Sequence, residues 1–344
     1  MTHVPAPPLG KVFNDTIARY QKTFPEKLAN LFITLEGQKI YVAPEIADLL
    51  RQNVMPVERF IQARQRAMFE QGWAAAAGPH NLGTTRLQHL SLKDSDNDRY
   101  VSGKFPQEMN KVAVFDHEMG HFLVWEAWLL NTNAHVSECA ADAFAALRHI
   151  QRYGDRTDFF EHATATVAHA GVAGSKIHFA SAVFQKIAAL QKSGKVDIAN
   201  LPLEDTVKLA GKLAAGYAFP QEVLDKIRAA YDASPAVGNS AAHSAAETKA
   251  LIKVMLAHKG DDDIYRAGNL AISRADIKQS LADACATDAE LKDLCAQMAR
   301  HEKDSRFSID AAAAMDKQRA AGARDKKRAI AKGNKRPAAS QPRD

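Results

Sequence analysis

Val112-Ala113-Val114-Phe115-Asp116-His117-Glu118-Met119-Gly120-His121-Phe122 is the stretch on which the reading of this chain turns. In an α-helix, residues four apart lie on one face, a turn from each other. His117 and His121 therefore aim two imidazoles at a common point, and paired imidazoles are what a zinc ion takes from a single helix. Glu118 lies beside the first histidine, turned by about 100° around the helix. A carboxylate there stands near the ion without ligating it, and can take a proton from zinc-bound water and later pass it to the leaving group. HExxH alone is a pattern that chance can produce. Its neighbours Val112, Ala113, Val114, Phe115 and Phe122 mark a buried helix rather than a polar surface helix carrying the pattern by accident.

One helix cannot wrap a metal, so a third ligand has to come from a separate element. Glu138 is well placed, 17 positions after His121, beyond the break at Asn131-Thr132-Asn133 and near the start of the next helix. Glu126 and His135 are its rivals. Asp142 lies one turn after Glu138 on the same face, where it can accept a hydrogen bond from the outer nitrogen of His117 or His121 and hold that ring's tautomer and orientation. His, His and Glu on one ion leave a fourth position for water, which is a catalytic rather than a structural geometry.

His117-Glu118-Met119-Gly120-His121 followed by Glu138-Cys139-Ala140-Ala141-Asp142 resembles the gluzincin group of zinc metallopeptidases, whose pattern is HExxH with a later ExxxD. The Glu-x-x-Ala-Asp wording is similar to that of the CaaX-processing peptidases, and the short gap to that of thermolysin-like and ImmA/IrrE-type enzymes. The match covers roughly residues 86–150. The resemblance implies that His117, His121 and Glu138 ligate one zinc ion per chain, that Glu118 is the general base, and that Asp142 holds a ligating ring. It also implies a peptide or protein substrate and a zincin-like core. In zincins the strand before the active-site helix is usually the sheet edge that receives an extended substrate. Arg86 to Leu92 alternates and is the candidate; an ordinary internal strand is the other reading. Such enzymes further need an oxyanion donor. His162, His169, His178, Tyr217 and Tyr231 are available, and no spacing singles one out.

Outward from the motif, Pro106 suits the first turn of a helix running through His121 to about Leu130. A second helix, capped by Asn133 or Ser137, reaches about Tyr153. Upstream, residues 1–11 are Pro-rich and read as loose, Asp15 to Phe24 as a short helix, and Phe32 to Val42 as a hairpin about Glu36-Gly37. Pro44 to Leu50 and Pro56 to Gln71 read as helices. Beyond Asp158 the pattern is almost wholly helical, near 158–170, 175–192, 203–215, 220–232, 244–258 and 274–300, with a linker at 233–240. The expected fold is α+β and predominantly helical: an N-terminal extension (1–24), a zincin-like catalytic core with a small sheet (25–155), a helical domain (156–310) and a basic, disordered tail (311–344).

The totals set limits on partners. Residues 317–344 hold ten Lys/Arg against two Asp, a local charge of +8, and the whole chain carries +5, which leaves −3 for residues 1–316. The basic character thus belongs to the tail, a contact for nucleic acid or an acidic surface, or simply a solubilising end. It lacks interleaved aromatics for stacking on single strands. The start of the chain has no apolar core of signal-peptide length, and no run of about 18 apolar residues exists, so no membrane span and a cytoplasmic location are expected. Cys139, Cys285 and Cys295 are odd in number and lack metal spacing, which fits a reducing compartment. Asp94-Ser95-Asp96-Asn97-Asp98 begins like a calcium loop, but Arg99 and Phe105 stand where Gly and an acid are required. Besides the peptidase, a zincin-fold binding or regulatory protein without catalysis, and a nucleic-acid-associated protein acting through its tail, remain open.

Overall fold

The computed structural model describes residues 9–35, 38–44, 47, 75–82, 85–92, 107–124, 134–154, 180–232, 240–258, 264–265, 285–286 and 288–304. The expected helices at 56–71 and 158–170, Asp94 to Asp98, Glu126, His162, His169, His178, residues 233–239 of the linker and the basic tail lie outside these residues. The chain divides into two compact units, Met1–Ala282 and Asp283–Asp344.

The first unit opens with helix α1 (Leu9–Thr23). It begins before Asp15 and takes up the end of the stretch read as loose, because Phe13, Ile17 and Tyr20 form one apolar stripe at helical spacing, all buried. Phe13 sets its ring 4.9 Å from that of Phe115. The expected hairpin follows as β1 (Leu31–Leu35) and β2 (Gln38–Val42). Their antiparallel register pairs Ile33 with Tyr41 and Thr34 with Lys39, leaving Ile40 as the extra residue of a bulge.

Two further strands, β3 (Ala75–Leu82) and β4 (Thr85–Leu92), pair antiparallel with each other, and β4 lies parallel to β1. The order is β2-β1-β4-β3. This corrects the reading of Arg86 to Leu92 as a sheet edge: β4 is paired on both sides, and β3 is the edge beyond it. Gly78 and Pro79 made Ala75–Leu82 a poor strand by propensity. The ladder accommodates both by shifting register between Ala77 and His80, so that two residues oppose Gln88 alone.

Helix α2 (Gln107–Leu123) packs against β3 and β4 and, far more extensively, against α3 (Ala134–Tyr153). From Val112 to Gly120 every α2 residue is buried. Ser137 lies inside the first turn of α3, so it is not the cap of that helix. Helices α4 (Ser181–Ser193), α5 (Leu203–Tyr217), α6 (Gln221–Asp232) and α7 (Ser240–Ala257) complete the described part of this unit. One apolar core runs through α1, the sheet, α2, α3, α4 and α5. Both α1 and the first downstream helices therefore share the core of the segment expected to be catalytic.

In the second unit, α8 (Ala289–Asp304) is capped by Asp288, whose Oδ1 accepts the Leu291 N–H at 3.0 Å. The single helix read over 274–300 is thus interrupted at Asp288. The fold is α+β and predominantly helical with a small sheet.

Candidate metal centre

Two turns of α2 and two of α3 build the site. His117 and His121 stand one turn apart on α2, with ring centroids 4.9 Å apart and planes near perpendicular. Glu138 and Asp142 stand one turn apart on α3. Glu138 reaches between the two rings: its Oε2 is 3.2 Å from His117 Nε2, and its Oε1 is 3.6 Å from His121 Nε2.

The opposite nitrogen of each ring is held. His117 Nδ1 lies 2.6 Å from Asp142 Oδ1, with both side chains buried. Asp142 is thereby placed where the sequence pattern put it, on the outer nitrogen of a histidine. With the Asp142 carboxylate as acceptor, Nδ1 of His117 is the donor, and Nε2 is the nitrogen that faces Glu138. His121 Nδ1 lies 3.3 Å from the hydroxyl oxygen of Ser137. Ser137 was read only as a helix cap. The signal that could have found it was its place one residue before Glu138 on the helix facing His121.

Glu118 is buried at 4% exposure, and its carboxylate belongs to the same cluster: one donor atom each from His117, Glu118 and His121 lie within 4.8 Å of one another. Imidazole nitrogens and nearby carboxylates are donors that a divalent metal accepts. The cluster can hold a metal ion. Among the described residues it is the one group of three such side chains that meets this distance.

His135 is directed elsewhere. Its Nε2 accepts the Phe219 N–H at 3.2 Å and lies 3.6 Å from Cys139 Sγ. Cys139 is fully buried; burial first, then the charges of Asp142 and Glu138, push its thiol pKa up. Tyr217 is half-buried beneath Lys186, whose Nζ stands 5.0 Å from the ring centroid.

Behind the histidines lies a charged network that the sequence reading did not anticipate. Tyr20 donates to Asp116 Oδ1 at 2.6 Å and accepts from Arg148 Nε at 2.9 Å. Arg152 pairs with Asp116, its NH2 group donating to Oδ1 at 3.0 Å. Arg148 also donates to Gln151, and the Gln151 amide donates to Ile198 O, Leu201 O and Thr206 Oγ1. Burial, reinforced by Asp116, raises the Tyr20 pKa far above its ordinary value. Burial works against the Arg152 charge, but Asp116 and Tyr20 outweigh it and keep the guanidinium protonated. The network pins α1, α2, α3 and the start of α5 together next to His117. Its sequence signal was a set of charges at 116, 148 and 152 on otherwise apolar helix faces.

At the far end of α2, Lys27 Nζ donates to the Leu123 carbonyl at 2.8 Å, capping the helix C-terminus with a cation. No helix among the described residues is long and apolar enough to cross a membrane. No family model, curated protein or solved structure matches the chain.

Proposed function

We propose that this chain is a zinc-dependent metallopeptidase of the gluzincin type, with His117, His121 and Glu138 as ligands and Glu118 as general base. The observation that carries the reading is the arrangement around Glu138: both Nε2 atoms face it, while Asp142 engages the other nitrogen of His117. A zinc ion bound there would supply a Lewis acid that polarises a carbonyl and makes water more acidic. Glu118 then takes the proton lost by the attacking water and delivers it to the departing amine. Asp142 and Ser137 keep the two rings oriented while this happens. The zincin-like core would be the four-stranded sheet with α2 and α3. An extended peptide would add to the outer edge of β3, the edge strand against which α2 packs.

The test is the metal content and peptide-hydrolysing activity of the wild type, Glu118→Gln and His121→Ala. The reading expects about one zinc per chain in the first two and far less in the third, with hydrolysis in the wild type alone. Equal zinc in all three variants would sink it. Zinc without hydrolysis of a diverse peptide library would instead support a binding or regulatory protein. Peptide cleavage that survives truncation at residue 316 would make the basic tail an accessory.

A further inference from the structure

The three cysteines are not equivalent in the folded chain. Cys139 is fully buried in the first unit. Cys285 and Cys295 belong to the second unit, and both are partly exposed with free thiols. Their sulfur atoms lie 3.2 Å apart. Nine residues separate them in sequence, and Cys285 precedes α8 while Cys295 lies within it. Asp288 caps α8, and Leu291 and Leu294 bury one face of it. Cys295 follows Leu294 directly, at the margin of that buried face.

We propose that Cys285 and Cys295 form an oxidation site, a thiol pair that closes to an intramolecular disulfide when it meets hydrogen peroxide. A disulfide needs its sulfurs at about 2.05 Å, so closure asks each side chain for a small rotation and leaves the helix in place. Partial exposure lets the oxidant in.

The chemistry proceeds in two steps. The Cys285 sulfur attacks one peroxide oxygen; the O–O bond breaks, the sulfur becomes a sulfenic acid, and the other oxygen leaves as water with the thiol proton. The Cys295 sulfur then attacks the sulfenyl sulfur of Cys285. The S–S bond forms, the S–O bond breaks, and the hydroxyl departs as water with the Cys295 proton. Two thiols lose two electrons, and one peroxide is reduced to two waters. Cys285 is assigned the first step because Cys295 adjoins the buried Leu294, and partial burial and the hydrogen bond to Cys285 push the Cys295 thiol pKa up to about 12.

The experiment uses the full-length wild-type protein and a small excess of hydrogen peroxide, followed by denaturation, alkylation, intact mass and peptide mapping. The expected result is a monomer lighter by two hydrogen atoms, with a cross-linked peptide pair containing Cys285 and Cys295. Alkylatable thiols should fall from three to one, the survivor being Cys139, and dithiothreitol should restore all three. A second arm treats Cys295→Ser, in which Cys285 should accumulate as a sulfenic acid trapped by dimedone. The proposal is overturned if Cys285 and Cys295 both stay alkylatable in the treated wild type. It is equally overturned if the cross-link joins Cys139 or two chains, or if the product is a sulfinic acid that dithiothreitol cannot reduce. None of these outcomes depends on the metal centre.

Discussion

A Cβ atom on Gly120 would stand 2.8 Å from the Cα of Ala141, so the two helices of the metal centre touch backbone to backbone at this pair. Gly120 immediately precedes His121, and Ala141 immediately precedes Asp142. The spacing between histidines and carboxylates across the helix pair is therefore set by a contact that leaves no room for a side chain.

Gly120→Ala should accordingly separate α2 from α3. Alanine gains up to about 1 kcal/mol in helix propensity, but overpacking a close contact costs about 1–3 kcal/mol, and here the obstacle is main chain. A net loss of stability is expected in urea unfolding, together with weaker zinc binding in a chelator competition. A variant as stable as wild type with undiminished zinc affinity would show that the contact does not set the site.

The ring-holding partners should rank by geometry. Asp142, at 2.6 Å from His117 Nδ1 and fully buried, holds its ring more firmly than Ser137, at 3.3 Å from His121 Nδ1. Loss of a partner of this kind weakens metal binding by about 10–100-fold. Asp142→Asn should fall in that range and Ser137→Ala near or below its lower end, read by competition with a chromogenic chelator. The reverse order would mean that His121, not His117, limits affinity.

Tyr20 gives the protein a definite alkaline limit. Its pKa is raised in the folded state by burial and by Asp116. A raised pKa means that the folded state holds the proton longer than the unfolded chain. The stability this represents is complete below the ordinary tyrosine value of about 10 and is lost as pH climbs from there towards the folded value. Thermal melts between about pH 9 and pH 12 should therefore fall more gently in Tyr20→Phe than in the wild type. Parallel curves would remove Tyr20 from the account.

Asp116 is fully buried and Arg152, 14% exposed, is its ion-pair partner, so removing one partner should cost more than removing both. Asp116→Asn is expected to lose stability by up to about 3 kcal/mol, because a largely buried guanidinium loses its counter-charge while keeping some contact with water. Adding Arg152→Met should return part of it. Denaturant titration of the four members of the cycle reads this coupling. Additive losses would show that Tyr20 and Thr16, which also accept from Arg152, suffice to hold the charge.

The local pattern by itself determined the helix pair and the hairpin, and it placed His117, His121, Glu138 and Asp142 on two neighbouring helices. Helical period places His117 over His121 and Glu138 over Asp142 whatever surrounds them, and the alternation of Phe32 to Val42 marks a hairpin. Pairing of α2 with α3 was also legible, since two imidazoles and two carboxylates on facing helices complete one another. What needed the tertiary structure were contacts between residues far apart in sequence. The strand Ala75–Leu82 exists because β4 offers its ladder, and no propensity of Gly78 or Pro79 announces it. Tyr20 meets Asp116 across 96 positions and Arg148 across 128, and only the packing of α1 on α2 and α3 brings them together. The approach of Gly120 to Ala141 and the meeting of Cys285 with Cys295 are of the same kind. Sequence period fixes which residues share a face, whereas close packing of the folded chain decides which faces meet and how near.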